Sequence, residues 1–270
     1  MSNTKPFFNR TRLLLGDELM NSLDKAKVII FGVGGVGSWC AEGLVRSGVG
    51  NITIVDSDRV CITNVNRQMM ATSGTVGMVK VDALKERLLE INPDVTSNAI
   101  QTIYSEETAN QFDLDSFDYV VDAIDSLKDK AALILHATRS TAKFFSSMGA
   151  ALKLDPTKIE VTEFWKVRGC PLARALRQRF KKRKEFPAKK FLCVYSDEFL
   201  ENKGQQSSCG TDRCVCPKTE NAPGDPLLAN HEWCSSKARI NGSLMHITSI
   251  FGLTISGLII MDIENRKPKY

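Results

Sequence analysis

The sequence predicts an α/β fold. Its core is a doubly wound, mainly parallel sheet, followed by a C-terminal extension of a basic helix, a cysteine-containing loop and an apolar helix. Three observations predict it. Short apolar runs alternate with helix-patterned segments through residue 150, as they do where helices cross over between parallel strands. The first run, KVIIFG, lacks period-two alternation, which suits a strand covered on both faces. The first run ends in GVGGVG, Gly32 to Gly37, where a tight turn opens a helix.

The elements follow in order. KVIIFG, Lys27 to Gly32, is the first strand, and SWCAEGLVRSG is a helix that stops at glycine. NITIVD, Asn51 to Asp56, is the second strand. VKVDALKERLLEINP, Val79 to Pro93, has helical spacing and ends before proline. SNAIQTI is the third strand, and FDYVVDAID, Phe117 to Asp125, the fourth. SLKDKAALILHATRSTA reads as a helix and KFFSSMG as the fifth strand. KIEVTEFWKV is expected to lead out of the sheet, ARALRQRFKKRKEFPAKK to form a basic helix and loop, and FLCVYSDE a short strand. Residues 201 to 238 are polar and rich in Gly, Pro, Asn and Cys, the composition of a long loop.

Bulk properties are those of a soluble globular chain: 270 residues, 43% apolar, 25% charged, formal net charge +5. MSNTKPFFNR has no apolar leader segment, so the chain reads as mature and cytoplasmic. The eight cysteines do not read as a disulfide scaffold in a chain of this kind. INGSLMHITSIFGLTISGLIIMDI, Ile240 to Ile263, is long and apolar but diluted by Asn241, Ser243, His246 and several hydroxyls. It is expected to be buried in a core or a subunit interface, with no membrane partner.

In a doubly wound sheet ligands sit beyond the carboxyl ends of the strands. Gly32, Gly34, Gly35, Gly37, Asp56 and Asp125 all fall there. Glycine lets the backbone approach a phosphate, and the helix N-terminus supplies N–H donors. Asp56 is placed to accept hydrogen bonds from ribose hydroxyls. The glycines alone leave a redox dinucleotide and ATP both open. TNVNRQ then places Asn64, Asn66, Arg67 and Gln68 just past Asp56, and Lys80 opens the next helix. Fixed cations and amides of this sort stabilise charge on an α-phosphate under attack. Asp125 is the candidate Mg²⁺ ligand, with Asp122 second because its place inside a strand suits a structural role.

GVGGVG, IVDSD, TNVNRQ, VGMVK and DAID together resemble the ubiquitin-activating-like (ThiF/MoeB-type) adenylyltransferases, which are Rossmann-like and activate a carboxylate as an acyl-adenylate. The resemblance implies that Asp56 binds ribose, that Asn64, Arg67 and Lys80 contact phosphates, and that Asp125 binds metal. FNRTRLLLG also matches, which makes Arg10 a finger reaching a partner's ATP site and implies a homodimer. The implied organisation is a single adenylyltransferase-like domain over 1–270. Residues 7–150 form its ATP-binding core, and 151–270 a substrate, tRNA and dimer extension.

KVRGCPLARALRQRFKKR, CVYSDE and INGSLMHITSIFGLTISGLI resemble one branch, the tRNA threonylcarbamoyladenosine dehydratases. That implies ATP-dependent cyclisation of threonylcarbamoyladenosine at tRNA position 37. Charge agrees: residues 168 to 190 hold ten Lys or Arg against one acid, Glu185. Arg174, Arg177, Lys181, Lys182, Arg183 and Lys184 are the candidate tRNA contacts. Phe180 and Phe186 are open to base stacking or to packing.

Cys209, Cys214, Cys216 and Cys234 form a C-x4-C-x-C set with a fourth cysteine and His231 nearby. A Zn²⁺ site, an iron–sulfur cluster, a reactive thiol and unligated cysteines all remain open. A sulfur-transfer protein of the cysteine desulfurase kind also stays open as a partner. Three rival functions share the glycine loop. A carrier-protein activator would adenylate the C-terminal glycine of a ubiquitin-like protein and would favour paired C-x2-C motifs. A nicotinamide dehydrogenase would leave Arg67, Lys80 and Asp125 without a purpose. A scaffold would bind nucleotide without turnover.

Overall fold

The computed structural model describes residues 5–204 and 241–266. Its centre is a seven-stranded sheet of order β3-β2-β1-β4-β5-β7-β6. The strands are β1 Lys27–Phe31, β2 Asn51–Val55, β3 Thr96–Ile100, β4 Tyr119–Asp122, β5 Lys143–Ser147, β6 Ile159–Glu163 and β7 Leu192–Ser196. All neighbours pair parallel except β6 with β7. The helices are α1 Asn9–Lys25, α2 Gly37–Arg46, α3 Lys80–Ile91, α4 Leu127–Ala137, α5 Pro171–Arg183 and α6 Met245–Asn265.

The central strands bury both faces, as their unbroken apolar runs require. Val28, Ile30, Ile52, Ile54 and Val121 point to one side with α1, α2, α3 and α6. Ile29, Phe31, Val55, Val120 and Phe144 point to the other with α4 and α5. The chain winds outward from β1 to β3, then returns to β4 on β1's other side. The carboxyl ends of β1 and β4 therefore flank the switch-point crevice.

Two elements differ from the expectation. Strand β4 stops at Asp122, because the Ile124 N–H turns back to Asp122 Oδ1 and the chain leaves the ladder. KIEVTEFWKV does not leave the sheet; β6 is its antiparallel edge. The N-terminal FNRTRLLLG begins α1, which breaks at Gly16 with φ of 75°.

Helix α6 is long and apolar enough to cross a membrane by composition. Here it lies along the sheet with Ile247, Phe251, Ile255, Ile259 and Ile263 buried at every fourth position. Each such side chain contributes roughly 1.5–3 kcal/mol relative to an exposed one. Small residues bring α6 against α2. A Cβ on Gly252 would stand 2.3 Å from the Val36 carbonyl oxygen, and one on Gly43 2.7 Å from Ser256 Oγ. At the far end Asp262 accepts the Tyr119 hydroxyl at 2.9 Å and pairs with Arg266 at 2.8 Å.

This close approach is testable by urea denaturation. Gly252→Ala is expected to lose about 1–3 kcal/mol, because backbone must move. Gly257→Ala, whose Cβ would meet nothing within 4 Å, is expected to gain about 0.5–1 kcal/mol from helix propensity. Equal stability of Gly252→Ala and the parent would refute the packing.

Candidate functional site

The site starts where β1 and β4 end. Gly32 has φ of +84°, and a Cβ there would lie 2.8 Å from the Ala123 carbonyl oxygen. A Cβ on Gly37 would lie 1.9 Å from the Gly32 oxygen. Both glycines are required by the turn itself. Gly35 packs against Thr248 of α6, with a Cβ contact of 3.1 Å. Gly34 is different: its nearest neighbour would be Gln68 Nε2 at 3.7 Å, so its backbone is open to a ligand. No side chain caps the N-terminus of α2. Ser38 donates to the Gly34 carbonyl and accepts from the Met69 N–H, which ties the glycine loop to the Asn64–Met70 segment.

Asp56 lies just past β2. It accepts the Val33 N–H at 2.8 Å and the Asp58 N–H at 2.9 Å. Burial pushes its pKa above the ordinary carboxylate value, opposed by Lys80 and those two N–H groups. Lys80, at the first turn of α3, stands 2.5 Å from Asp58 and 4.0 Å from Asp56. Burial alone would lower the pKa of the ammonium. The two carboxylates outweigh it and hold the Lys80 pKa above its usual value.

The amide segment divides by role. Asn64 is buried and its Oδ1 accepts the Cys61 N–H, which fixes the turn. Asn66 donates to the Ser243 carbonyl and so anchors the approach to α6. Arg67 donates to the Thr63 carbonyl at 2.8 Å and to Asn66 Oδ1 at 2.9 Å, while Trp39 holds its backbone. Burial lowers the Arg67 pKa, and the nearby Asp125 and Cys61 work the other way. Gln68 is buried beside Gly34, and its Oε1 has no hydrogen-bond partner among the described residues. An orphaned buried acceptor at the mouth of a glycine loop fits a hydrogen-bonding ligand.

Asp122 and Lys130 carry the turn after β4. Both side chains are fully buried, 2.7 Å apart. Ser146 donates to the Asp122 carboxylate at 2.6 Å, and Lys130 donates to the Ile124 carbonyl at 3.0 Å. The pair therefore fixes residues 122–124 and presents the exposed Asp125 toward Arg67 and Lys80, with which it interacts electrostatically. Asp122 is thus structural, as its strand position suggested. Lys130 carried no recognisable signal: helical periodicity cannot show which buried charge a lysine meets.

Asp56, Asp58 and Asp125 act on Lys80, and Asp125 also acts on Arg67. A triphosphate entering alone would add charge to a site already rich in carboxylate. Asp125 would hold a divalent cation that could relieve that excess, since Mg²⁺ is commonly held by one or two carboxylates plus phosphate oxygens. The open Gly34, the uncapped α2 terminus and the orphaned Gln68 fit the phosphates; Asp125 fits the metal.

The sequence matches the ThiF family model over residues 8–256. The chain belongs to the ThiF family. It is 37% identical over 258 residues to the tRNA threonylcarbamoyladenosine dehydratase of Bacillus subtilis (strain 168), covering 95% of this chain and 94% of that protein. The Haemophilus influenzae protein of the same name is 38% identical over 205 residues, 74% of this chain and 78% of that one. A crystal structure of the Escherichia coli tRNA N6-threonylcarbamoyladenosine dehydratase, TcdA, in complex with ATP has a TM-score of 0.77 at 29% identity, covering 97% and 95% of the two chains. The α/β fold of the ThiF family thus agrees with the sheet expected from sequence.

Outside the nucleotide crevice, α5 exposes Arg174, Lys181, Lys182 and Arg183, with Lys184 following in a left-handed cap. Arg177 turns inward instead: it donates to the Phe164 and Val167 carbonyls and lies over the Phe164 ring. Phe180 is buried, so of the two candidate stacking residues it serves packing, whereas Phe186 is exposed. Arg10 is exposed on α1, flanked by exposed Phe7, Leu13 and Leu14. Cys209, Cys214, Cys216, Cys234 and His231 lie outside the described residues.

Removing the Lys130 ammonium leaves a buried uncompensated carboxylate. Lys130→Met is expected to cost about 3–5 kcal/mol by urea denaturation. Adding Asp122→Asn should recover part of it. A Lys130→Met chain as stable as the parent would show that the pair does not hold the turn.

Proposed function

We propose that the chain cyclises the threonylcarbamoyl side chain of a modified tRNA adenosine, at position 37, by activating its carboxylate with ATP. The chain is an ATP-dependent tRNA threonylcarbamoyladenosine dehydratase. The observation that carries the mechanism is the convergence of Gly34, Arg67, Lys80 and Asp125 on one crevice at the switch point.

In this reading the threonyl carboxylate attacks the α-phosphate, forming an acyl-adenylate and releasing pyrophosphate. The carbamoyl group then attacks the activated carbonyl and AMP leaves. The nucleophile is already in the substrate, so no enzyme cysteine is needed. Gly34 and the α2 terminus seat the phosphates, and Asp56 receives the ribose hydroxyls. Arg67 faces the charge that develops on the α-phosphate. Lys80, compensated at rest by Asp56 and Asp58, supplies a second fixed cation without reorganisation. Mg²⁺ held by Asp125 would neutralise phosphate charge. Arg174, Lys181, Lys182, Arg183 and Lys184 give the salt-dependent part of tRNA binding.

A homodimer completes this reading. Arg10, amid the exposed apolar side chains of α1, reaches the ATP site of a partner subunit. Those side chains are the sort of surface a second chain would cover.

The test is nucleoside mass analysis. Protein, Mg·ATP and tRNA bearing threonylcarbamoyladenosine are incubated and digested gently at neutral pH. Loss of one water with stoichiometric AMP is expected. Arg67→Ala should slow it by about 100–1000-fold. No mass change, with ATP–pyrophosphate exchange only on adding a small carrier protein, would transfer the chain to carrier-protein activation.

A further inference from the structure

At the opposite end of the sheet from the nucleotide crevice two large aromatic rings stand in solvent. Trp165 is 39% exposed and Phe186 51%. Their centroids lie 6.2 Å apart at 42°, so neither ring covers the other's face. The position follows from topology. Glu163, at the end of the antiparallel β6, pairs with Leu192 at the start of β7, so the chain after β6 emerges at the amino end of the parallel strands. The Phe164 N–H bonds the Phe191 carbonyl there.

Trp165 is held firmly. Its N–H donates to Glu163 Oε2 at 3.0 Å, and its ring meets Phe164 edge-on at 5.2 Å. Phe164 is fully buried, stacked on Phe191 and clasped by Arg177. A rigid ring loses little freedom when it receives a ligand. The surroundings are mainly cationic: exposed Lys166 adjoins Trp165, and exposed Lys181, Lys182 and Lys184 lead to Phe186, with Arg183 paired to Glu106 and Glu185 the one acid in that run. Exposed aromatic faces set among cations are what unpaired nucleotides recognise, base on ring and phosphate on cation.

Helix α5 gives the distance. It begins beside the carboxyl end of the sheet, where Gly169 lies against Asp197 just beyond β7, and runs thirteen residues toward the amino end. At 1.5 Å per residue that is about 20 Å. The aromatic pair is therefore remote from the reacting groups and bears on binding alone.

We propose that Trp165 and Phe186 form a stacking platform for an unpaired nucleobase of the substrate RNA, at the far end of the basic helix from the ATP site. This rests on the RNA-modifying reading above. The experiment measures the Kd of tRNA transcript across a salt series, and the Kd of Mg·ATP, for five proteins. These are the parent, Trp165→Ala, Trp165→Phe, Phe186→Ala and the double variant Lys181→Gln/Lys182→Gln. Trp165→Ala should weaken tRNA binding about tenfold without changing the salt slope or ATP affinity. Trp165→Phe should restore most of it, and Phe186→Ala should fall between. The double lysine variant should instead lower the salt slope by about 2. Parent-like tRNA affinity in Trp165→Ala, with the lysine variant weakened, would overturn the platform and leave the RNA reading standing. A parent with no measurable tRNA affinity would overturn both. A fall in sedimentation mass in Trp165→Ala would assign the rings to a protein interface and overturn the platform.

Discussion

The buried Asp122–Lys130 pair is the constraint on which the site depends. Two unit charges with no solvent contact persist only if each satisfies the other and the remaining hydrogen-bonding positions are filled. Here they are filled: Ser146 and the Ile124 N–H serve the carboxylate, and the Ile124 carbonyl serves the ammonium. The closure joins β4, β5 and α4 at one point, directly beneath the crevice. It also ends β4 early, and that early end lets Asp125 face the crevice from a loop instead of extending the ladder.

The same logic recurs one strand pair away, with a different degree of burial. Lys80 is shared by Asp56 and Asp58, and Asp58 remains a third exposed. A fully sealed pair such as Asp122–Lys130 is committed to structure. A partly open pair leaves its cation fixed by the carboxylates behind it, with one side of the pair still in contact with solvent. The two lysines thus differ in their carboxylate partners: Asp122 is sealed with Lys130, whereas Asp58 stays a third exposed beside Lys80.

Much of this was legible in the sequence. The parallel core, the glycine turn and the ordering of Asp56, Arg67, Lys80 and Asp125 along the crevice follow from strand ends and local pattern. What was not legible depends on contacts between distant residues. Gly35 looks like a phosphate glycine but packs on Thr248, which is 213 positions later in the chain. Asn64 and Asn66 look like ligand amides, and pattern could not show that Asn64 also takes the Cys61 N–H or that Asn66 also meets Ser243 and Arg67. Arg177 counts as surface charge in any composition, but a half-turn of helix aims it at two inward carbonyls. β6 read as a strand leading out of the sheet, because nothing local to it shows that it becomes an edge paired with β7. The edge belongs to the same sheet.

Those inward-turned groups change how the basic helix works. Ala173, Leu176 and Phe180 bury one side of α5, and Arg177 ties it to the turn that carries Trp165. The remaining cations are consequently fixed to the sheet, not strung on a mobile arm. A fixed row of charges about 20 Å long selects polyanions by shape as well as by charge, because a flexible one would conform to any phosphate backbone. Its upper end adjoins the strand ends that carry the nucleotide crevice, and its lower end adjoins an open aromatic pair. In the proposed reading, an RNA lying along α5 with one nucleoside in the crevice would be held at both ends of one rigid element. The orientation of the reacting nucleoside would then be set in part by contacts made well away from the reacting atoms.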